Sequence, residues 1–128
     1  MGGREAKDAL FEQFARVGKA LSSSKRLELL DLLAQGERPV DSLARAANLK
    51  LTTASAHLQT LKESRLVATR RDGTTIYYRL AGEDVADLYA RLQAVAQTHL
   101  TDVAAARMAF LGPADTEQVD RQELWRRV

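Results

Sequence analysis

The sequence predicts a mainly α-helical (α+β) fold: short amphipathic helices, one two-stranded hairpin and a long last helix. Three observations carry the prediction. Apolar residues recur at three- and four-residue intervals along most of the chain. An Asp72-Gly73 pair separates two strand-like runs. No apolar run approaches the roughly 18 residues needed to span a bilayer. With 128 residues, 45% of them hydrophobic, there is room for one domain with a modest core but not for a second large one.

Each element has its own signal. Leu10, Phe11, Phe14, Val17, Gly18 and Leu21 share helical spacing, which predicts an amphipathic first helix over Ala6 to Leu21. Ser23 is placed to cap a second helix, whose buried stripe is Leu27, Leu30 and Leu33 or Ala34 and which Gln35 and Gly36 close. Pro39 falls in the connection. Asp41 is the expected cap of a short third helix through Ala47, with Leu43, Ala44 and Ala47 inward and Asn48 able to adopt the left-handed conformation. A fourth helix starts near Leu51, with Ala54, Leu58 and Leu61 as its inward stripe. The third and fourth helices form a helix-turn-helix. Around Asp72-Gly73, Ile76, Tyr78 and Leu80 alternate with Tyr77 and Arg79, so one face of the hairpin packs and the other meets solvent. From Glu83 to about Leu111 an apolar ladder of Val85, Leu88, Leu92, Val95, Val103, Ala106 and Phe110 predicts one helix of about 40 Å. That is too long for so small a domain to cover. The first and last helices are therefore expected to pair with a second copy, and the fold becomes a winged helix-turn-helix with a two-stranded β-wing, dimerising through those helices.

Charge is unevenly spread. Net charge is only +2, but Ser22 to Leu80 holds ten Lys/Arg against six Asp/Glu, and Ala81 to Val128 holds five against eight. A basic middle suits a polyanion partner. With no cysteine, disulfides, thiolate metal sites and cysteine nucleophiles are excluded. The opening MGGREAKDAL is too charged for a signal peptide, so a cytoplasmic location with no membrane contact is expected. Catalysis is not expected: there is no glycine-rich phosphate loop and no paired carboxylates, and Ser55 and His57, two apart on one helix, do not face each other. No cofactor is implied.

The chemistry concentrates between Leu49 and Leu80. Thr52, Thr53, Ser55, Ala56 and Gln59 fall on faces of the fourth helix that can reach outward, and their hydroxyls and amide can read base edges. Lys50 precedes them. Arg70, Arg71 and Arg79 on the hairpin can neutralise phosphates, and together these groups point to double-stranded DNA. The bland alternatives are a merely hydrated arginine face and a winged helix that binds a protein partner.

The run ALSSSKRLELLDLLAQGE, then DSLARAANLK, then Ser55-x-His57-Leu58-x-x-Leu61, then RLVATRRDG and IYYRL, resembles the arsenic-repressor (ArsR) family of winged-helix transcriptional repressors. The resemblance covers Ala6 to about Leu111. It implies a DNA-binding and dimerisation domain over 1–111, with a linker or short helix over 112–128. It also implies base or phosphate contacts for Thr52, Thr53, Ser55, Ala56 and Gln59, phosphate contacts for Lys25 and Arg26, and a wing of Arg70, Arg71 and Arg79. For Arg26 an internal salt bridge is the alternative. His57 matches a structural or phosphate-facing position. The segment LFEQFARVGKALSSSKRLELLDLLAQGER further resembles a branch joined to a C-terminal rhodanese domain, and QVDRQELWRRV looks like the entry into such a domain or a short terminal helix. His99 and Asp102 resemble half of the family's interfacial zinc site. One histidine and one aspartate per subunit, with Asp87 nearby but no second histidine there, make a poor zinc site, so no metal is expected. Without cysteine, the thiol sensors of the family are no model for this chain.

Overall fold

The computed structural model describes residues 2–100, 102–103 and 105–111. The chain divides into two units, Met1–Tyr89 and Ala90–Val128. The first holds α1 (Gly3–Leu21), α2 (Ser24–Ala34), β1 (Arg38–Pro39), α3 (Val40–Ala46), α4 (Leu51–Glu63), β2 (Val67–Asp72), β3 (Thr75–Leu80) and the start of α5 (Glu83–His99).

Local chemistry sets the helix ends. The Ser23 hydroxyl accepts from the Arg26 amide at 3.2 Å and starts α2. Both helices of the helix-turn-helix stop in the same way. In α3, Asn48 turns left-handed at φ 55°, its amide donates to Arg45, and the Leu49 amide donates to Ala44 at 2.8 Å. In α4, Arg65 turns left-handed at φ 63°, its amide donates to Lys62, and the Leu66 amide donates to Leu61 at 3.0 Å. These are Schellman closures, and each returns an apolar residue, Leu49 or Leu66, to the core.

The core gathers Leu29, Leu30 and Leu33 of α2, Leu43 and Ala47 at α3, Leu58 and Leu61 of α4, and Leu66, Val67 and Val85. Leu29, Leu30, Leu43, Leu58 and Leu61 are fully buried. On α2 the stripe is shifted from its expected position: Leu29 is inside, Leu27 is half-buried and Ala34 is exposed. The start of α5 is tied to α2 where the Tyr89 hydroxyl donates to Asp31 Oδ1 at 3.0 Å.

Four expectations need correction. The sheet has three strands in the order β1-β3-β2, because Arg38 and Pro39 lie extended and pair antiparallel with Tyr78 and Tyr77. Pro39, not Asp41, is the residue before α3; its extended backbone feeds the helix directly, leaving Asp41 inside the first turn, 3.9 Å from Arg45. The hairpin loop is Gly73-Thr74, since Asp72 still pairs with Thr75; glycine takes the first loop position at φ 63°. Finally α5 ends at His99 after 17 residues, and helix resumes only beyond Leu100. Thr98 and His99 are weak helix formers, and the Val103 amide closes back on Leu100 in a three-residue turn. The length of α5 therefore does not itself demand a partner helix. The linker or short helix expected over 112–128 lies outside the described residues.

Two measurements probe this frame. Arg65 holds a conformation that costs a side chain about 1 kcal/mol or more, so Arg65→Gly is expected to raise stability by about 0.5–1 kcal/mol in urea unfolding. Tyr89 ionisation is pushed up to about 12 from 10.0, by burial first and then by Asp31. The neutral phenol is favoured in the folded state, so its contribution is complete below about pH 10 and fades as pH rises toward 12. Unfolding midpoints of the unsubstituted protein should fall more steeply over that window than those of Tyr89→Phe.

Candidate nucleic-acid interface

A helix of 13 residues is too short to stand alone in water, so α4 must bury one face. It packs on α2, α3 and β2 through Ala54, Leu58 and Leu61. Helical geometry then turns Thr52, Thr53, Ser55, Ala56 and Gln59 outward, and all five are exposed. Lys50 is exposed at the helix start. The N-terminus of α4 has no side-chain cap and no acidic residue in its first turn, so its free amides and the positive end of its dipole face outward. Such an end attracts phosphate.

His57 sits at the boundary between the two faces, half-buried, with Nδ1 3.3 Å from the Arg26 guanidinium. Arginine can only donate, so Nδ1 accepts and any proton on a neutral ring lies on Nε2. Arg26 also donates through Nε to the Ala20 carbonyl at 2.7 Å and through an Nη to the Lys19 carbonyl at 3.0 Å. It thus bonds the last turn of α1 while bracing α4 through His57. Lys25 is likewise engaged within the fold, donating to the Ala47 carbonyl at 2.7 Å and pairing with Glu28 at 3.2 Å. Its charge complements the C-terminal end of α3. The internal salt bridge considered for Arg26 is replaced by carbonyl and imidazole bonds.

The hairpin register separates the three wing arginines. Arg70 lies opposite Tyr77 and Ala68 opposite Arg79, whereas Arg71 lies opposite Ile76. Cross-strand partners share a face, so Arg70 and Arg79 project together and Arg71 projects from the other side. Arg71 and Arg79 are exposed and make no side-chain hydrogen bond or ion pair among the described residues. Arg70 is held: its guanidinium stacks 4.4 Å from the Tyr77 ring centroid and bonds Glu37 through Nε at 2.7 Å. The Arg70 hydrogen bond keeps the Glu37 carboxyl below its usual range, and Glu37 in turn raises Arg70.

Glu37 and the internal bonds of Lys25 and Arg26 escape a sequence reading. Apart from the Lys25–Glu28 pair at helical spacing, the partners lie 6 to 33 residues apart, and no local pattern marks them. His99 and Asp102 are exposed, and no group of three or more potential metal ligands occurs among the described residues. No helix among those residues is long and apolar enough to cross a membrane.

Residues 23–69 match the family model described as bacterial regulatory protein, arsR family. Over 126 residues the chain is 55% identical to the HTH-type transcriptional regulator Rv0324 of Mycobacterium tuberculosis, covering 98% of this chain and 55% of that protein. The chain spans little more than half the length of this and the next curated relatives it matches. Among solved structures, it is similar to the homodimeric winged helix-turn-helix DNA-binding domain of Mb0332 from Mycobacterium bovis, a possible ArsR-family transcriptional regulator. That match has 61% identity and a TM-score of 0.70, covering 73% of this chain and 87% of that one. NolR from Sinorhizobium fredii aligns at 32% identity and TM-score 0.63, covering 77% and 94%.

Stability measurements should separate internal from outward cations. Arg26→Ala removes the side-chain donor to the Ala20 carbonyl, while Lys19 keeps its bonds from Ser22, and is expected to cost about 1–3 kcal/mol in denaturant unfolding. Lys50→Ala, which touches nothing inside, should stay within about 0.5 kcal/mol of the parent.

Proposed function

The chain belongs to the ArsR family of bacterial regulatory proteins, and on that premise we propose that it represses transcription by binding duplex DNA as a homodimer at an imperfect inverted repeat. One juxtaposition carries this reading. An uncapped helix start bearing exposed Thr52, Thr53, Ser55 and Gln59 shares a small domain with Lys50, Arg71 and Arg79, cations that have no ion-pair partner among the described residues. In this reading α4 enters the major groove, its hydroxyls and amide meet base edges, and the cations meet phosphates. Half-sites would lie about one helical turn or a little more apart.

Dimerisation is supported by the surface of α1. Leu10, Phe11 and Phe14 are more than half exposed, and the two rings meet edge to face at 5.5 Å. On α5, Leu88 and Val95 are also exposed. Apolar side chains concentrated this way on a soluble helix mark a partner surface, and the M. bovis domain is a homodimer.

The 128 residues hold no cysteine, so a thiol sensor cannot be built from them. The resemblance of the opening segment to the rhodanese-joined branch makes a sulfur-derived signal the first to try, and nearly half of the M. tuberculosis relative lies outside the match. Release would need a coupling of about 1–3 kcal/mol between signal and DNA.

Fluorescence anisotropy on DNA from upstream of the protein's own gene, against scrambled duplex at two salt concentrations, tests the proposal. A preference that survives higher salt is expected. Arg71→Ala should weaken binding to all sequences and reduce the salt slope by about one, while Thr53→Ala or Gln59→Ala shifts sequence preference. Equal, weak and salt-sensitive binding to both duplexes would overturn it in favour of a protein-binding winged helix.

A further inference from the structure

Glu37 stands just ahead of β1, and Arg70 lies on β2, with the central strand β3 between them. Alternation puts Glu37 and Pro39 on the face of Tyr77, which pairs with both Pro39 and Arg70. The Arg70 side chain crosses the sheet on that face. Its guanidinium lies over the Tyr77 ring and places both Nε, at 2.7 Å, and an Nη, at 2.6 Å, on one oxygen of Glu37. A second carboxylate, Asp72, stands 4.0 Å away. Arg70 is therefore flanked by two carboxylates and hydrogen-bonded to one of them, whereas Arg71 and Arg79 make no hydrogen bond or ion pair among the described residues, Arg79 feeling Glu37 only through space.

Resting on the DNA-binding reading, we propose that Glu37 is a latch that withholds Arg70 from phosphates. The wing then meets a polyanion through Arg71 and Arg79, and Arg70 acts as a strut across three strands. The electrostatics favour this arrangement. A phosphate approaching Arg70 on its Nε edge must displace a carboxylate already held by two donor nitrogens, and on the remaining Nη it comes close to Asp72. Tyr77 fixes the guanidinium in the plane that serves Glu37, which reduces the freedom needed to turn outward. Because phosphate charge attracts a protein to any sequence alike, withholding one cation limits non-specific binding and leaves discrimination to α4. Glu37 is thus a positioning residue that acts on DNA mainly through Arg70, its charge reaching Arg79 on the same face more weakly.

Salt-dependent retention on heparin, a polyanion without bases, combined with anisotropy on the two duplexes, tests the latch. Glu37→Gln and Glu37→Ala should elute from heparin at higher salt than the parent. On duplex their salt slope should steepen by about 0.9, one added phosphate contact. Arg70→Ala alone should leave the slope nearly unchanged, and Glu37→Gln should add far less retention in the Arg70→Ala background than in the parent. Three results would each overturn the latch: unchanged retention of both Glu37 variants, a gain that persists in full in the Arg70→Ala background, or a slope that falls by about one in Arg70→Ala alone. The second result would mean that only a negative charge had been removed. Circular dichroism checks that each variant is folded. Heparin reads the latch whether or not the parent prefers any duplex, so loss of the repressor reading and loss of the latch are told apart.

Discussion

Burial of one face of α4 is the constraint on which the rest of the molecule depends. The helix is stable only where Leu58 and Leu61 are removed from water, and fully burying two leucines is worth about 1.5–3 kcal/mol each relative to exposure. That requirement fixes the rotation of the helix about its axis. Once Ala54 and Leu58 point inward, no freedom remains in the direction taken by Thr53, Ser55 or Gln59. The outward chemistry is a geometric by-product of the inward packing, and a change in either stripe is a change in both.

The cations divide by what surrounds them rather than by where they fall in the sequence. Lys25 and Arg26 begin α2, and both donate to carbonyls at the ends of other helices, chiefly Ala47 and Ala20. They hold the C-terminal ends of α1 and α3 against α2, work that a wholly apolar contact cannot do because those carbonyls need partners. Lys50, Arg71 and Arg79 have no such duty. A count of basic residues treats all of these alike, although the first set has donors committed within the fold and the second has none among the described residues.

Much of this was legible in the sequence wherever the controlling interactions are local. The cap at Ser23, the left-handed Asn48, the inward stripe of α4 and the hairpin between Val67 and Leu80 all follow from residues a few positions apart. Other features depend on distant partners. Strand β1 is two residues long and exists only because Tyr77 and Tyr78 arrive beside it from much later in the chain. Nothing in Arg38-Pro39 itself signals a strand, and proline argues against one except at an edge, which is where it lies. The pairing of Glu37 with Arg70 is hidden for the same reason. For the outward residues of α4, sequence spacing predicted exposure correctly; which of them meets a base is set by a partner molecule.

The strand order carries a mechanical consequence. β1 runs straight into α3, and β2 begins shortly after α4, so the helix-turn-helix is a loop whose two ends are both hydrogen-bonded to β3. The central strand works as a clasp on a closed ring. Such a ring resists shear: α4 cannot tilt without pulling on β2, and α3 cannot slide without drawing β1 along its register. Helix α4 and the hairpin are therefore tied to one strand, and a displacement of either is passed to the other through β3.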